Sequence, residues 1–264
     1  LPECRAIYEQ VASANDVREA WLGLAVANLH HRRPTEAAGA LGAVLSQHAH
    51  AIADIAAVAD AVARATRSPG WCALDGTGNV VVSLGSPSSK RNAVSAEIDG
   101  RTIPLRRQAG AHRLVGRLPG SWESATAVAV KIEGNHLLGS PIAVRRIVRV
   151  EGFVDSTDGD VHGWAWCPND PDRDPVLSIE PSGGGVGITV TADDATVTVE
   201  AMRPLSRPRG FRVPAARLSG FIGSLRVVGR DGRSLTGSPL DPSAEQVSAE
   251  RSSMMVARLF PAPG

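Results

Sequence analysis

Two carboxylate-rich stretches flank a pair of tryptophans, and these are the residues whose types and spacing could do chemistry. The first stretch is Asp155-Ser-Thr-Asp158-Gly159-Asp160; the second is Asn169-Asp170-Pro-Asp172-Arg-Asp174. Alternating carboxylates can cage a calcium ion through oxygen ligands. The second stretch, however, has Pro175 where a calcium loop of the EF-hand type needs glycine. The two stretches bracket a β-type segment, Val161 to Trp166. At about 3.3 Å per residue they stand roughly 20 Å apart, too far to share one ion. Asp158-Gly159-Asp160 has the Asp-x-Asp form that can hold a metal–nucleotide complex, but it is short and lies in β-type sequence. Both stretches read as solvated turns, and neither a metal nor a cofactor is expected.

Trp164 and Trp166 are two apart on a strand, so they point to the same face. A paired aromatic surface can stack on sugar rings, and its indole N–H groups can donate to hydroxyls. With the neighbouring Asp170, Asp172 and Asp174 as acceptors, these five residues are the candidate carbohydrate contacts. The competing reading places both indoles in a core, which a chain with only five Trp and four Phe needs. The core reading is favoured.

Other constellations carry less. His48 and His50 end a helical stretch. Two residues apart on a helix they point in different directions, and zinc would need four ligands. They read as helix-terminal polar residues. The chain has neither a phosphate-binding Gly-x-x-x-x-Gly-Lys-Ser/Thr loop nor a Gly-x-Ser-x-Gly nucleophile elbow. Gly183-Gly-Gly-Val-Gly187 lacks the dinucleotide fingerprint and reads as a β turn. Cys4, Cys72 and Cys167 are odd in number and widely spaced, which argues against a disulfide framework. Cys72 and Cys167 each follow a Trp, at comparable places in two copies, and read as buried structural thiols.

Composition bounds the partners. With 43% apolar and 21% charged residues the chain is an ordinary globular protein. A net charge of +1 gives no basic field, so nucleic acid is not expected as a partner. No apolar run is long enough to span a bilayer. No secretion signal is visible, and the setting is read as cytoplasmic. The chain starts Leu1-Pro2-Glu3, without Met, and is expected to be a piece of a longer one.

The elements that must position these residues fall into two kinds. Residues 3 to 66 read as helix, with apolar residues recurring at three and four residue spacings. Trp21, Leu24 and Ala25, then Ala37, Ala38 and Leu41 after Pro34, resemble the two helices of a tetratricopeptide repeat. Asn28 stands where that repeat uses an aromatic. Asn28 and Arg32 are the candidate partner-binding residues, in a polar groove. A third, Ala-rich helix is expected over Ala51 to Thr66.

From Ser68-Pro69-Gly70 onward the chain reads as short strands separated by turns at 8 to 12 residue spacings, the pattern of β-sandwiches. Strands are expected over 80–84, 94–98, 101–105, 112–118, 127–132 and 137–144, then over 151–154, 161–166, 176–180, 187–191, 196–201, 210–213, 222–228 and 234–236. The Arg-bearing stretch 144–150 is read as a linking strand. One nine-residue phrase occurs twice: Gly134-Asn-His-Leu-Leu-Gly-Ser-Pro-Ile142 and Gly232-Arg-Ser-Leu-Thr-Gly-Ser-Pro-Leu240. Each closes a β region that lies downstream of a Gly-Trp, at Gly70-Trp71-Cys72 and at Gly163-Trp164-Ala165-Trp166-Cys167. The expected organisation is α+β and multidomain. A short helical-repeat-like segment spans 1–67, two tandem β-sandwich domains span 68–149 and 150–242, and a linker or tail spans 243–264.

Gly152-Phe153-Val154, Val161-His-Gly-Trp-Ala-Trp-Cys-Pro168 and Asp170-Pro-Asp-Arg-Asp-Pro175 together resemble a β module of large bacterial glycan-assembly proteins. In those, helical repeats and Gly-Trp-Ala-Trp modules precede a family-2 glycosyltransferase domain. Pro208-Arg-Gly-Phe211, Asp231-Gly232 and Gly237-Ser-Pro239 fit the same module. The resemblance covers most of 70–242 and, more loosely, 17–66. It implies a non-catalytic accessory region that positions the enzyme or holds acceptor glycan, with the catalytic domain beyond residue 264. No catalytic residue carries over, because strand–helix alternation is lacking after residue 66. The alternative is a self-contained adaptor whose helices bind a protein partner.

Overall fold

The alanine-rich start of the chain folds as four helices. They are α1 (Pro2–Asn15), α2 (Arg18–His30), α3 (Pro34–Gln47) and α4 (Ile52–Thr66). The computed structural model describes residues 2–15, 17–85, 94–108, 112–197, 199, 206–221 and 223–242. Pro34 opens α3 at its first turn, where a missing N–H costs nothing. Arg67, left-handed with φ 55°, ends α4. Leu24 and Ala25 of α2, Ala37, Leu41 and Leu45 of α3, and Ile55, Ala59 and Val62 of α4 share one core. Ala25, Ala37 and Ala59 are fully buried; such small side chains leave room for the larger Leu and Ile. Each fully buried Leu or Ile contributes roughly 1.5–3 kcal/mol.

That helical core does not stop at residue 67. Trp71 and Ala73 belong to it, and the Trp71 indole Nε1–H donates to Asp60 Oδ1 of α4 at 2.7 Å. The helices and the first β region therefore lie together in one compact unit, Leu1–Ile147, and the rest of the chain forms a second, Val148–Gly264.

The first unit carries β1 (Gly70–Leu74), β2 (Asn79–Leu84), β3 (Val94–Ile98), β4 (Arg101–Thr102), β5 (Arg106–Arg107), β6 (Arg113–Arg117), β7 (Val128–Ile132) and β8 (Asn135–His136). They form two antiparallel sheets, ordered β1-β2-β6-β5 and β4-β3-β7-β8. A one-turn helix, α5 (Val144–Ile147), follows. The second unit carries β9 (Glu151–Thr157), β10 (Asp160–Trp166), β11 (Val176–Pro181), β12 (Ile188–Thr191), β13 (Arg209–Val213), the short helix α6 (Ala215–Leu218) and β14 (Leu225–Gly229). Its sheets run β13-β10-β9 and β12-β11-β14. Val154, Val161 and Phe211 from one sheet pack with Leu177, Ile179, Leu225 and Val227 from the other in a single core. With four long helices and antiparallel sheets, the fold class is α+β.

The twice-used phrase takes the same local structure in both units. Ser140 and Ser238 each precede a cis proline. Each hydroxyl accepts a backbone N–H of the strand before it, Val130 at 2.8 Å and Val227 at 2.9 Å. Gly139 and Gly237 have φ 88° and 96°, and a Cβ on either would strike a carbonyl oxygen, of Cys72 or of Val154. Glycine is required at both by conformation and by space.

These closures also correct the match expected between the two β regions. Cys72 N–H donates to Leu138 O, and Val154 N–H donates to Thr236 O, each at 2.9 Å. Gly70-Trp71-Cys72 therefore corresponds to Gly152-Phe153-Val154 of β9, not to the Gly-Trp of β10. Other expectations change: 101–105 shortens to Arg101–Thr102, and 234–236 makes only isolated bridges. Residues 70–74 form a strand missed from the sequence, hidden because all five are buried and no alternation marks them. The stretch 144–150 begins as α5 rather than as a strand. The run 137–144 makes single bridges at Leu138 and Ile142 rather than a continuous ladder. The tail 243–264, and part of the strand expected over 196–201, lie outside the described residues.

Candidate functional site

The second unit holds the chemistry-bearing residues, and its hairpin β9–β10 positions most of them. Asp158 (φ 53°) and Gly159 (φ 82°) form the tight turn, with Thr157 opposite Asp160. Asp160 ties this turn to the chain beyond β13. Its Oδ1 accepts the Ala215 N–H at 2.8 Å, and its Oδ2 accepts Arg212 Nε at 2.8 Å and Nη2 at 2.6 Å. Those hydrogen bonds hold its carboxyl below the usual carboxylate range. Asp160 thus serves as a structural pin.

The second acidic stretch splits apart. Asp170 is buried at 5% exposure, beside the fully buried Asn169, in a turn where Arg173 N–H donates to Asp170 O at 3.0 Å. Asp172 is exposed and paired with Arg207. Asp174 accepts Arg209 Nε at 3.1 Å. Among the described residues no group of three His, Cys, Asp or Glu side chains is arranged to hold a metal ion, and no described helix is long and apolar enough to cross a membrane.

Trp164 and Trp166 do share a face of β10, as their spacing requires. Each is only 6% exposed, and they pack together with Phe153, Val197 and Val199. They offer no flat open surface on which a sugar could lie. The Trp166 indole N–H is buried without a hydrogen-bond partner, an arrangement that costs stability.

A cavity of about 540 Å³ lies beside this cluster. Phe153, Trp164 and Val197 wall it, and Asp155, His162, Thr191, Asp193, Asp194 and Arg212 supply its polar groups. Of the five residues named as carbohydrate contacts, only Trp164 lines it. Asp194 is fixed there: its Oδ1 accepts Thr196 N–H at 2.9 Å and the Thr196 hydroxyl at 2.6 Å, which lowers its pKa. Sequence reasoning passed over Phe153, His162, Asp193, Asp194 and Arg212. The one available signal was period two: His162 stands two residues before Trp164 and so shares its face. The strand register that brings in the others is not written in local sequence.

In the first unit, Asn28 is buried at 3% exposure with its side-chain oxygen unpartnered. Arg32 is exposed, in the turn after α2 with φ 57°. The two residues do not line an open groove together. His48 and His50, expected as polar helix ends, are both buried. The Cys72 and Cys167 thiols are buried too. Burial pushes Cys72 well above the usual thiol range. Burial, then the nearby Asp170, Asp231 and Asp174, push Cys167 up to about 12. A second cavity, about 430 Å³, is lined by Asp60, Arg64, Arg67, Trp71 and His112 among others. No known protein-family model matches the chain, and no curated protein sequence matches it either.

Proposed function

We propose that residues 1–242 are a non-catalytic accessory region of a bacterial glycan-assembly protein. They would be built from a helical-repeat-like segment and two tandem β-sandwiches of one design, and would position a family-2 glycosyltransferase domain or hold its acceptor. The observation that carries this reading is what the resemblance residues do. Asp172 and Asp174 are bound to Arg207 and Arg209, Gly237 admits a close backbone contact, and Ser238 closes a strand end. Each holds the frame, and framing is the work of a spacer that must present something else. The test is the mass and reading frame of the native gene product. Continuation past residue 264 into an α/β domain with an acidic metal motif supports the reading. A native product ending at Gly264 overturns it.

The adaptor reading draws on two observations: the burial of Trp164 and Trp166, and the exposed Ile7 and Tyr8 on α1. Such an adaptor would meet its protein partner through the helices. It would hold protein partners in a pull-down with Ile7→Ser abolishing capture, whereas the accessory reading gives no dependence on Ile7.

A further inference from the structure

The cavity of the second unit is laid out by strand register. On β9, β10 and β13, Phe153 faces Trp164, which faces Gly210; in the adjacent row Asp155 faces His162, which faces Arg212. Both rows lie on one side of the sheet, since their members are two residues apart on each strand. One row is apolar and ends in a glycine. The other is a carboxylate, an imidazole and a guanidinium in sequence. The vacancy at Gly210 admits the segment Asp193–Val197, where a Cβ would strike the Val197 side chain. Asp194 locks that segment down by exchanging backbone hydrogen bonds with Gly210, at 3.2 and 2.8 Å. The segment brings Asp193 and Asp194 over the polar row.

The first unit supplies a comparison. Counted from its own Gly-Ser-Pro closure, the row matching Asp155–His162–Arg212 is Ala73–Val81–Val115. It is apolar, and Ala73 is buried in the helical core. The same place in the architecture is thus built apolar where helices cover it, and polar where it borders a cavity.

We propose that this cavity is a binding site for a neutral pyranose ring, with Asp193 and His162 as principal polar contacts and Phe153 and Trp164 as the apolar wall beside the ring's C–H groups. The proposal deepens the accessory reading and rests on it for the choice of glycan probes. Its volume falls inside the range of small-molecule pockets, roughly 300–1,000 Å³. Both donors and acceptors line it: carboxylates accept, Thr191 and the Arg212 N–H groups not bound to Asp160 donate, and imidazole does one of each. A metal ion would call for acceptors alone, and a quaternary amine for a cage of aromatic faces. Sugar hydroxyls both give and take hydrogen bonds, and an apolar wall suits the ring's C–H groups.

The test is titration of the full chain with methyl glycosides of glucose, galactose, mannose and N-acetylglucosamine, and with short oligosaccharides of each, followed by tryptophan fluorescence. Saturable binding by at least one probe is expected, weakened about tenfold or more in Asp193→Ala and in His162→Ala, the loss expected for hydrogen bonds to a charged or imidazole group. Asp193 is exposed, so its removal leaves the fold standing, and an unchanged thermal midpoint checks this. Stronger binding of the oligosaccharide identifies a glycan chain as the natural source; equal binding identifies a free sugar. The proposal is overturned if the folded chain binds none of the probes, or binds them equally well in both variants. Failure here with a transferase domain found beyond residue 264 removes only the site. Success without that domain keeps the site and removes the accessory reading.

Discussion

His50 gives the first unit a dependence on pH whose sign and size can be worked out. The side chain is 3% exposed. Its Nε2 lies 3.0 Å from Val44 O, and a carbonyl only accepts, so Nε2 carries the proton of the neutral ring. Nδ1 is buried without a partner. Burial, against the opposing pull of the Val44 contact, lowers the pKa to about 3, with His48 and Arg18 adding repulsion. An unfolded His titrates near 6.5. Between those values the unfolded chain holds a proton that the folded chain refuses. Stability is therefore full above about pH 6.5 and falls as pH drops, by about 1.4 kcal/mol per pH unit. From pH 6.5 to pH 5 the loss is about 2 kcal/mol.

The measurement is urea unfolding across that window for the wild-type chain and for His50→Gln. Gln keeps a donor for Val44 O and does not titrate. Unfolding of the first unit is read by pulse-labelling Cys72 at one common pH after equilibration, since that thiol is buried in the native chain. The difference between the two proteins cancels the carboxylates, which titrate in both. It should shrink or grow by about 2 kcal/mol over the window, in the direction of the wild type losing more. Parallel curves would refute the burial argument, because they would mean His50 is protonated in the folded chain as readily as in the unfolded one.

Other consequences follow from packing. Trp166→Ala should cost about 3–5 kcal/mol, whereas Trp166→Phe should cost about 1 kcal/mol or less, because it also removes a buried N–H that has no partner; chemical denaturation compares the two. Gly139→Ala and Gly237→Ala should each destabilise by about 2 kcal/mol or more, since both combine positive φ with a carbonyl in the path of the new methyl. A clear inequality between them would show that the two closures do not do the same work. With a thiol reagent at neutral pH, the exposed Cys4 should react at once. Cys72 and Cys167 should react only at the unfolding rate, their thiols held protonated by burial.

What the sequence displayed and what it concealed divide along one physical line. Features set by neighbours in the chain were visible. The helix break at Pro34, the turn at Asp158-Gly159 and the strand 94–98 all depend on residues within a few positions. The repeated Gly-Ser-Pro phrase was visible too, because its glycine, serine and proline act on backbone close by. Features set by register were not. The row Asp155–His162–Arg212 joins residues up to 57 positions apart, and nothing local says that Arg212 will face His162. The same limit misaligned the two closures: Gly-Trp in each unit looked equivalent, yet by hydrogen-bond pattern Trp71 stands where Phe153 does.

The burial of Trp164 and Trp166 shows why this matters for function. Two tryptophans on one strand face are equally suited to a sugar platform and to a core, and the outcome is decided by what crosses that face. Here the segment carrying Val197 crosses it, admitted by the missing side chain at Gly210. The cover that removes the platform also brings Asp193 and Asp194 beside it, leaving a half-open cavity lined by polar groups next to the buried aromatics. A search for binding residues in such a chain should therefore begin from the glycine that lets a second segment approach, and only then from the aromatics it covers.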